Sequence, residues 1–207
     1  MGNHENRRVF SEFKQKIMKR HLPNFLTLGR LLLVPPIVAL LFFPGRFPSA
    51  LAALLFFIAS LTDFFDGFIA RRLKVESSFG RFLDPIADKV LVTSALIMLI
   101  NLDRVDAWIV MLIISREVAV SALRATTKSW DSTLKPSRIG KWKAFFQFAA
   151  VIPLMIHYNY HFIVDINFNQ IGTVLLYVAL ALTLWSGVDY FVRSYREYES
   201  KESASGD

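Results

Sequence analysis

LAALLFFIASLTDFFDGFIARR, residues 51–72, starts as a run suited to crossing a lipid bilayer and ends in two aspartates and two arginines. Hydrocarbon strongly disfavours a bare carboxylate, so an ionisable group at the end of a spanning run is by default a functional signal. Asp63 and Asp66 stand three residues apart at that end. The remainder of the chain has the same texture. Of its 207 residues 54% are hydrophobic and 19 are Phe, yet the formal net charge is +7. Apolar blocks separated by basic clusters describe a polytopic membrane protein rather than a nucleic-acid binder, because no separate soluble domain carries the basic residues. The sequence holds no Cys, which excludes disulfides, thiol catalysis and thiolate metal sites. No cleavable signal peptide is apparent near Met1, and the first residues lack the Ser or Thr usual for myristoylation.

A helix needs about 20 mostly apolar residues to cross a bilayer. Six segments meet that length: Asn24–Phe43, Ser49–Arg71, Phe82–Ile100, Ala107–Thr126, Ile139–Tyr158 and Gln170–Tyr195. The expected fold is therefore all-α and membrane-integral, with six transmembrane helices joined by short connections. Pro35-Pro36 is expected to kink the first span and Pro153 the fifth. An even number of spans puts both termini on one side. Of the 24 Lys and Arg residues, only Arg46 and Arg104 fall on the other side, so the positive-inside rule makes both termini cytoplasmic. Residues 1–22 form a basic segment, VFSEFKQKIMKRHL at its heart, whose apolar residues recur at near-helical spacing. It reads either as an amphipathic juxtamembrane helix on an anionic leaflet or as an ordinary basic anchor. Residues 23–196 are the six-helix domain, and residues 197–207 are a polar tail expected to be disordered.

Asp63 and Asp66, at i and i+3, share a face of the second span, and Asp84 and Asp88, at i and i+4, share a face at the start of the third. A tight turn between antiparallel helices brings the two pairs level at the cytoplasmic end. Four converging carboxylates repel unless cations lie between them, and oxygen-only ligands suit Mg²⁺ or Mn²⁺. Two such cations are the usual clamp for phosphoryl chemistry. Gly67 opens space beside Asp66, Ala70 lies one turn on, Arg71 has a fork suited to a phosphate, and Gly80 sits by the turn. A lone aspartate of this kind would read as a solvated helix terminus; the full set does not.

The pattern D-x2-D-G-x2-A-R-x8-G-x3-D-x3-D runs unbroken from Asp63 to Asp88 and resembles the signature of the CDP-alcohol phosphotransferase family, integral membrane enzymes of six helices. The resemblance implies that a hydroxyl attacks the lipid-bearing phosphorus of a CDP-linked donor and CMP leaves. It implies metal-ligand roles for Asp63, Asp66 and Asp84, and a ligand or general-base role for Asp88. It also places Gly67, Ala70, Arg71 and Gly80 around the CDP donor. In the first span Asn24, Thr27 and Arg30 follow i, i+3, i+6 and are candidates to face the nucleotide, although Asn24 also reads as a helix cap.

The acceptor is legible in the basic residues of the later spans. Arg116 and Glu117 interrupt an apolar helix, and Arg124 lies eight residues on, about 80° around it. Lys141 and Lys143 open the fifth span, where cations oppose the helix dipole unless an anion is bound. Arg116, Arg124 and Lys141 are the candidates to hold an acceptor phosphate. Lys143, with Arg138 and Lys128, reads as topology-determining charge. The segments REVAVSALRA, IGKWKAFFQ and LTLWSGVDYF are similar to the branch of the family that joins CDP-diacylglycerol to glycerol 3-phosphate. That resemblance implies a homodimer in the bacterial cytoplasmic (inner) membrane, its active site on the cytoplasmic face. Cardiolipin and phosphatidylinositol-phosphate synthases of the same family stay open, since their acceptors also carry phosphate. A divalent-cation transporter is a remote alternative; its ligands would sit near the bilayer midplane, commonly with an inverted repeat.

Overall fold

The computed structural model describes residues 27–43, 45–73, 78–129, 138–158, 160–161 and 165–205. Within these, the side chains of 63–73, 78–82, 84–85, 128–129, 138–139, 141, 160–161, 165–166, 201 and 203–205 lie outside the description. The expected N-terminal amphipathic segment and Asn24 also lie outside it.

Each of the six apolar segments is a helix. These are α1 (Thr27–Leu41), α2 (Arg46–Leu73), α3 (Ser78–Asn101), α4 (Ala107–Ser129), α5 (Arg138–Ile156) and α6 (Phe168–Ser205). Among the described residues, α6 alone is long and apolar enough to be recognised as a membrane span by length and composition. α1 continues as helix through Pro35-Pro36, and Pro153 lies inside α5. Two departures from expectation stand out. The connection before α6 contains a two-stranded antiparallel pairing, β1 (Tyr160–His161) with β2 (Asp165–Ile166), so among the described residues the fold is helical save for this clip. The tail expected to be disordered instead continues α6 to Ser205. Its residues favour that outcome: Glu197 and Lys201 are four apart, an order that supports a solvated helix.

The chain forms two compact units, Met1–Ala95 and Leu96–Asp207, with the division inside α3. In the first, α1 buries Thr27, Arg30, Val34, Ile37 and Leu41, a 3-4-3-4 spacing that marks one helix face. α2 buries Ala52, Ala53, Phe56 and Ala59, and α3 buries Ala87, Leu91 and Ala95. In the second unit α5 lies along α6 for most of its length, and α4 also contacts α6.

Gly172 sets the approach of α5 to α6. A Cβ there would stand 2.5 Å from Leu154 Cγ and 2.9 Å from the Leu154 backbone nitrogen, and backbone cannot yield as a flexible side chain does. Gly172→Ala is expected to cost about 1–3 kcal/mol by overpacking, read as a lower melting temperature in detergent. Gly29→Ala, with nothing within 4 Å of the added carbon, is the matched control expected to melt at or above wild type. Equal melting temperatures for the two variants would remove the close-approach argument.

The turn between α3 and α4 is a helix-terminating motif. Asp103 adopts φ 53°, Arg104 N donates to Leu99 O (3.0 Å), and Asp103 N donates to Ile100 O (3.0 Å). Arg104 is buried, and its Nη1 donates to Met155 O (2.5 Å) and Leu154 O (3.4 Å), which are among the last carbonyls of α5. A cation at a helix C-terminus satisfies acceptors that have no partner within the helix. Burial lowers the guanidinium pKa from its ordinary value, and the nearby Tyr158 hydroxyl opposes that shift. In the α5–α6 connection Asn167 caps α6, its Oδ1 accepting from Gln170 N (3.1 Å).

Among the described residues, many large apolar side chains are exposed while several polar ones are buried. Leu32, Phe47, Met111, Trp185, Val188 and Phe191 are each more than 60% exposed, while Arg30, Lys143, Gln147, Thr183, Ser186 and Ser194 are buried. Large exposed apolar surface of this extent needs a non-aqueous neighbour.

Candidate active site

In the first unit the candidate residues cluster by position along the helices. Asp63, Asp66, Gly67, Ala70 and Arg71 occupy the last three turns of α2, and Gly80, Asp84 and Asp88 the first three turns of α3. Asp63 lies ten residues before the end of α2 and Asp88 ten residues after the start of α3, both about 15 Å along the axis from the four-residue connection. The side chains of Asp63, Asp66, Gly67, Ala70, Arg71, Gly80 and Asp84 lie outside the description. Asp88 is half-buried, beside the buried Ala87 and one turn before Leu91. On α1, Thr27 and Arg30 are 1% and 2% exposed, so the two sit one turn apart on the buried face. A guanidinium placed there is costly unless its environment supplies charge or hydrogen bonds.

In the second unit the residues proposed for an acceptor phosphate fall into two neighbouring groups. The Arg116 side chain is 12% exposed and reaches across to α6, where Nη2 donates to Ser186 Oγ (2.8 Å). Its Nη1 donates to Glu117 Oε1 (3.3 Å). Gly187 makes room for this crossing: a Cβ there would stand 3.0 Å from Arg116 Cγ and 3.1 Å from Nε. Two turns on, the Arg124 guanidinium stands 5.6 Å from the Tyr190 ring centroid, and the Tyr190 hydroxyl lies 3.3 Å from Thr127 Oγ1. Cation–π geometry of this kind fixes the direction of an arginine without consuming its donors. The Lys141 side chain lies outside the description.

Lys143 is the residue whose surroundings depart most from its sequence reading. Expected to be topology-determining charge at a membrane end, it is instead buried, with a side chain 10% exposed, and Nζ pairs with Glu117 Oε1. One carboxylate oxygen therefore serves two buried cations from α4 and α5. Glu117, Ser186 and Gly187 were not among the residues expected at the site. An acid inside an apolar helix demands a cationic partner, and that signal was the one available for Glu117.

The chain belongs to the CDP-alcohol phosphatidyltransferase family, whose model matches residues 20–185. It is similar to a Rickettsia typhi protein named CDP-diacylglycerol–glycerol-3-phosphate 3-phosphatidyltransferase, at 39% identity over 83% of this chain and 96% of that one. Proteins of the same name from Bacillus subtilis and Haemophilus influenzae are each 38% identical over 84% of this chain, and the match covers 95% and 92% of their lengths.

Proposed function

We propose that this enzyme carries out the phosphatidylglycerophosphate synthase reaction: CDP-diacylglycerol and glycerol 3-phosphate give phosphatidylglycerophosphate and CMP. The observation that supports it is the placement of the aspartates, with Asp63 and Asp88 each ten residues from the α2–α3 connection and Asp66 and Asp84 nearer to it. The acceptor's hydroxyl oxygen forms a bond to the phosphorus bearing diacylglycerol. The bond from that phosphorus to the oxygen shared with CMP breaks, and CMP leaves with the electron pair. Asp88 takes the hydroxyl proton. Asp63, Asp66, Asp84 and Asp88 form a carboxylate-only set in a chain without Cys, which fits two Mg²⁺ or Mn²⁺ ions. Those ions, when bound, stabilise charge on the phosphoryl oxygens. Arg71, Thr27 and Arg30 bind the donor diphosphate, with Asn24, Gly67, Ala70 and Gly80 lining the nucleotide. Arg116, Arg124 and Lys141 bind the acceptor phosphate.

The same reading makes all six helices spans of the bacterial inner membrane, with both termini and the aspartates on the cytoplasmic side and the enzyme a homodimer. Exposed Trp185, Val188 and Phe191 then face lipid, and the charge asymmetry sets the orientation.

The test supplies purified protein in detergent with Mg²⁺ or Mn²⁺, CDP-diacylglycerol and, separately, glycerol 3-phosphate, inositol phosphate and phosphatidylglycerol. CMP release is expected to be greatest with glycerol 3-phosphate. Release with one of the other acceptors and none with glycerol 3-phosphate would replace this reading.

A further inference from the structure

The basic cluster of the second unit contains an acid that phosphate binding alone does not call for. Arg116 and Lys143 have side chains only 12% and 10% exposed, and two cations buried side by side repel. Glu117 Oε1 accepts from Arg116 Nη1 and pairs with Lys143 Nζ, so α4 and α5 are joined through one oxygen. Ser186 Oγ takes the second nitrogen of Arg116 and itself bonds back to Leu182 O (2.7 Å), which fixes the hydroxyl on α6. The floor under the guanidinium is Gly187. The arginine is thus held on both Nη nitrogens and from below. Ser121 Oγ donates to Glu117 O (2.5 Å), an additional tie to the α4 backbone at that residue.

We infer that Glu117 is a positioning residue for the acceptor phosphate: its carboxylate, shared between Arg116 and Lys143, balances the buried lysine so that the Arg116 guanidinium stays oriented while keeping enough net charge to bind a dianion. The inference rests on the acceptor role proposed above for Arg116. Each partner removed singly upsets the balance in an opposite sense. Without the carboxylate, Arg116 and Lys143 face each other uncompensated and the guanidinium is pushed off Ser186. Without the lysine ammonium, the whole carboxylate charge falls on Arg116 and competes with the phosphate.

The experiment is a double-mutant cycle on the full-length enzyme in detergent, using Glu117→Gln, Lys143→Gln and the combined variant. KM for glycerol 3-phosphate, KM for CDP-diacylglycerol and kcat are measured for each, with melting temperature as the check on folding. Each single variant is expected to raise the KM for glycerol 3-phosphate about tenfold or more, with KM for CDP-diacylglycerol and kcat within about twofold of wild type. The combined variant is expected to return the acceptor KM to within about threefold of wild type. A merely structural role would move donor and acceptor constants together. Single variants that melt like wild type with an unchanged acceptor KM overturn the inference. So does a combined variant whose acceptor KM is raised by the product of the two single effects. Should a single variant not fold, the combined variant still decides by its acceptor KM. If wild-type enzyme releases no CMP with glycerol 3-phosphate, the reading of the reaction fails first, and the cycle is run with the acceptor that does support release.

Discussion

Asp88→Asn is expected to lower CMP release by about 10²–10⁴-fold while leaving affinity for the CDP-linked donor largely intact. The amide keeps the size and one acceptor oxygen of the carboxylate but loses the basic site for a hydroxyl proton. Position supports the choice. Asp88 is half-buried on α3 between the buried Ala87 and Leu91, deep enough to be shielded and exposed enough to meet a polar acceptor. The measurement pairs steady-state CMP release with equilibrium binding of a CDP-linked donor to the same preparation. Turnover near wild type would remove the residue from the base role, whereas lost donor binding would mark it as chiefly a metal ligand.

The second large effect is expected at Arg116. Its replacement by Ala removes two charged hydrogen bonds, to Ser186 and Glu117, and leaves Glu117 and Lys143 to rearrange around the gap. A hydrogen bond to a charged group contributes about 1.5–3 kcal/mol, and 1.4 kcal/mol is a factor of ten. The KM for glycerol 3-phosphate is accordingly expected to rise by about ten- to a hundredfold. Arg116→Lys is expected to recover little, because an ammonium cannot span Ser186 and Glu117 with the planar fork that a guanidinium presents. A lysine variant with the wild-type acceptor constant would show that charge alone, not the fork, is recognised there.

Helix existence was legible because apolar run length and polar interruption are local properties. The six segments became six helices, with some ends displaced: α2 begins at Arg46 rather than Ser49, and α6 begins at Phe168 and extends past Tyr195 to Ser205. The ends moved because capping depends on single groups, such as Asn167 at the start of α6, that hydrophobicity does not register. The β1–β2 clip was not legible, since two-residue strands carry no periodicity. Spacing along the sequence sets where the aspartates fall along α2 and α3, as fixed intervals on a helix fix relative position along it. Lys143 was misread because its partner Glu117 is 26 positions away on another helix, and only packing brings them together. Arg116 stood out as a charge inside an apolar run, but the small residues Ser186 and Gly187 that receive it gave no such contrast.

Arg104 adds a consequence in time. Its acceptors on α5 are 50 and 51 positions further along the chain. At a synthesis rate of roughly 5–20 residues per second, the arginine waits on the order of seconds for carbonyls not yet made. During that interval the α3–α4 turn precedes its α5 partners, and the arrival of α5 converts Arg104 into a latch. α5 thus locks a turn that was made before it.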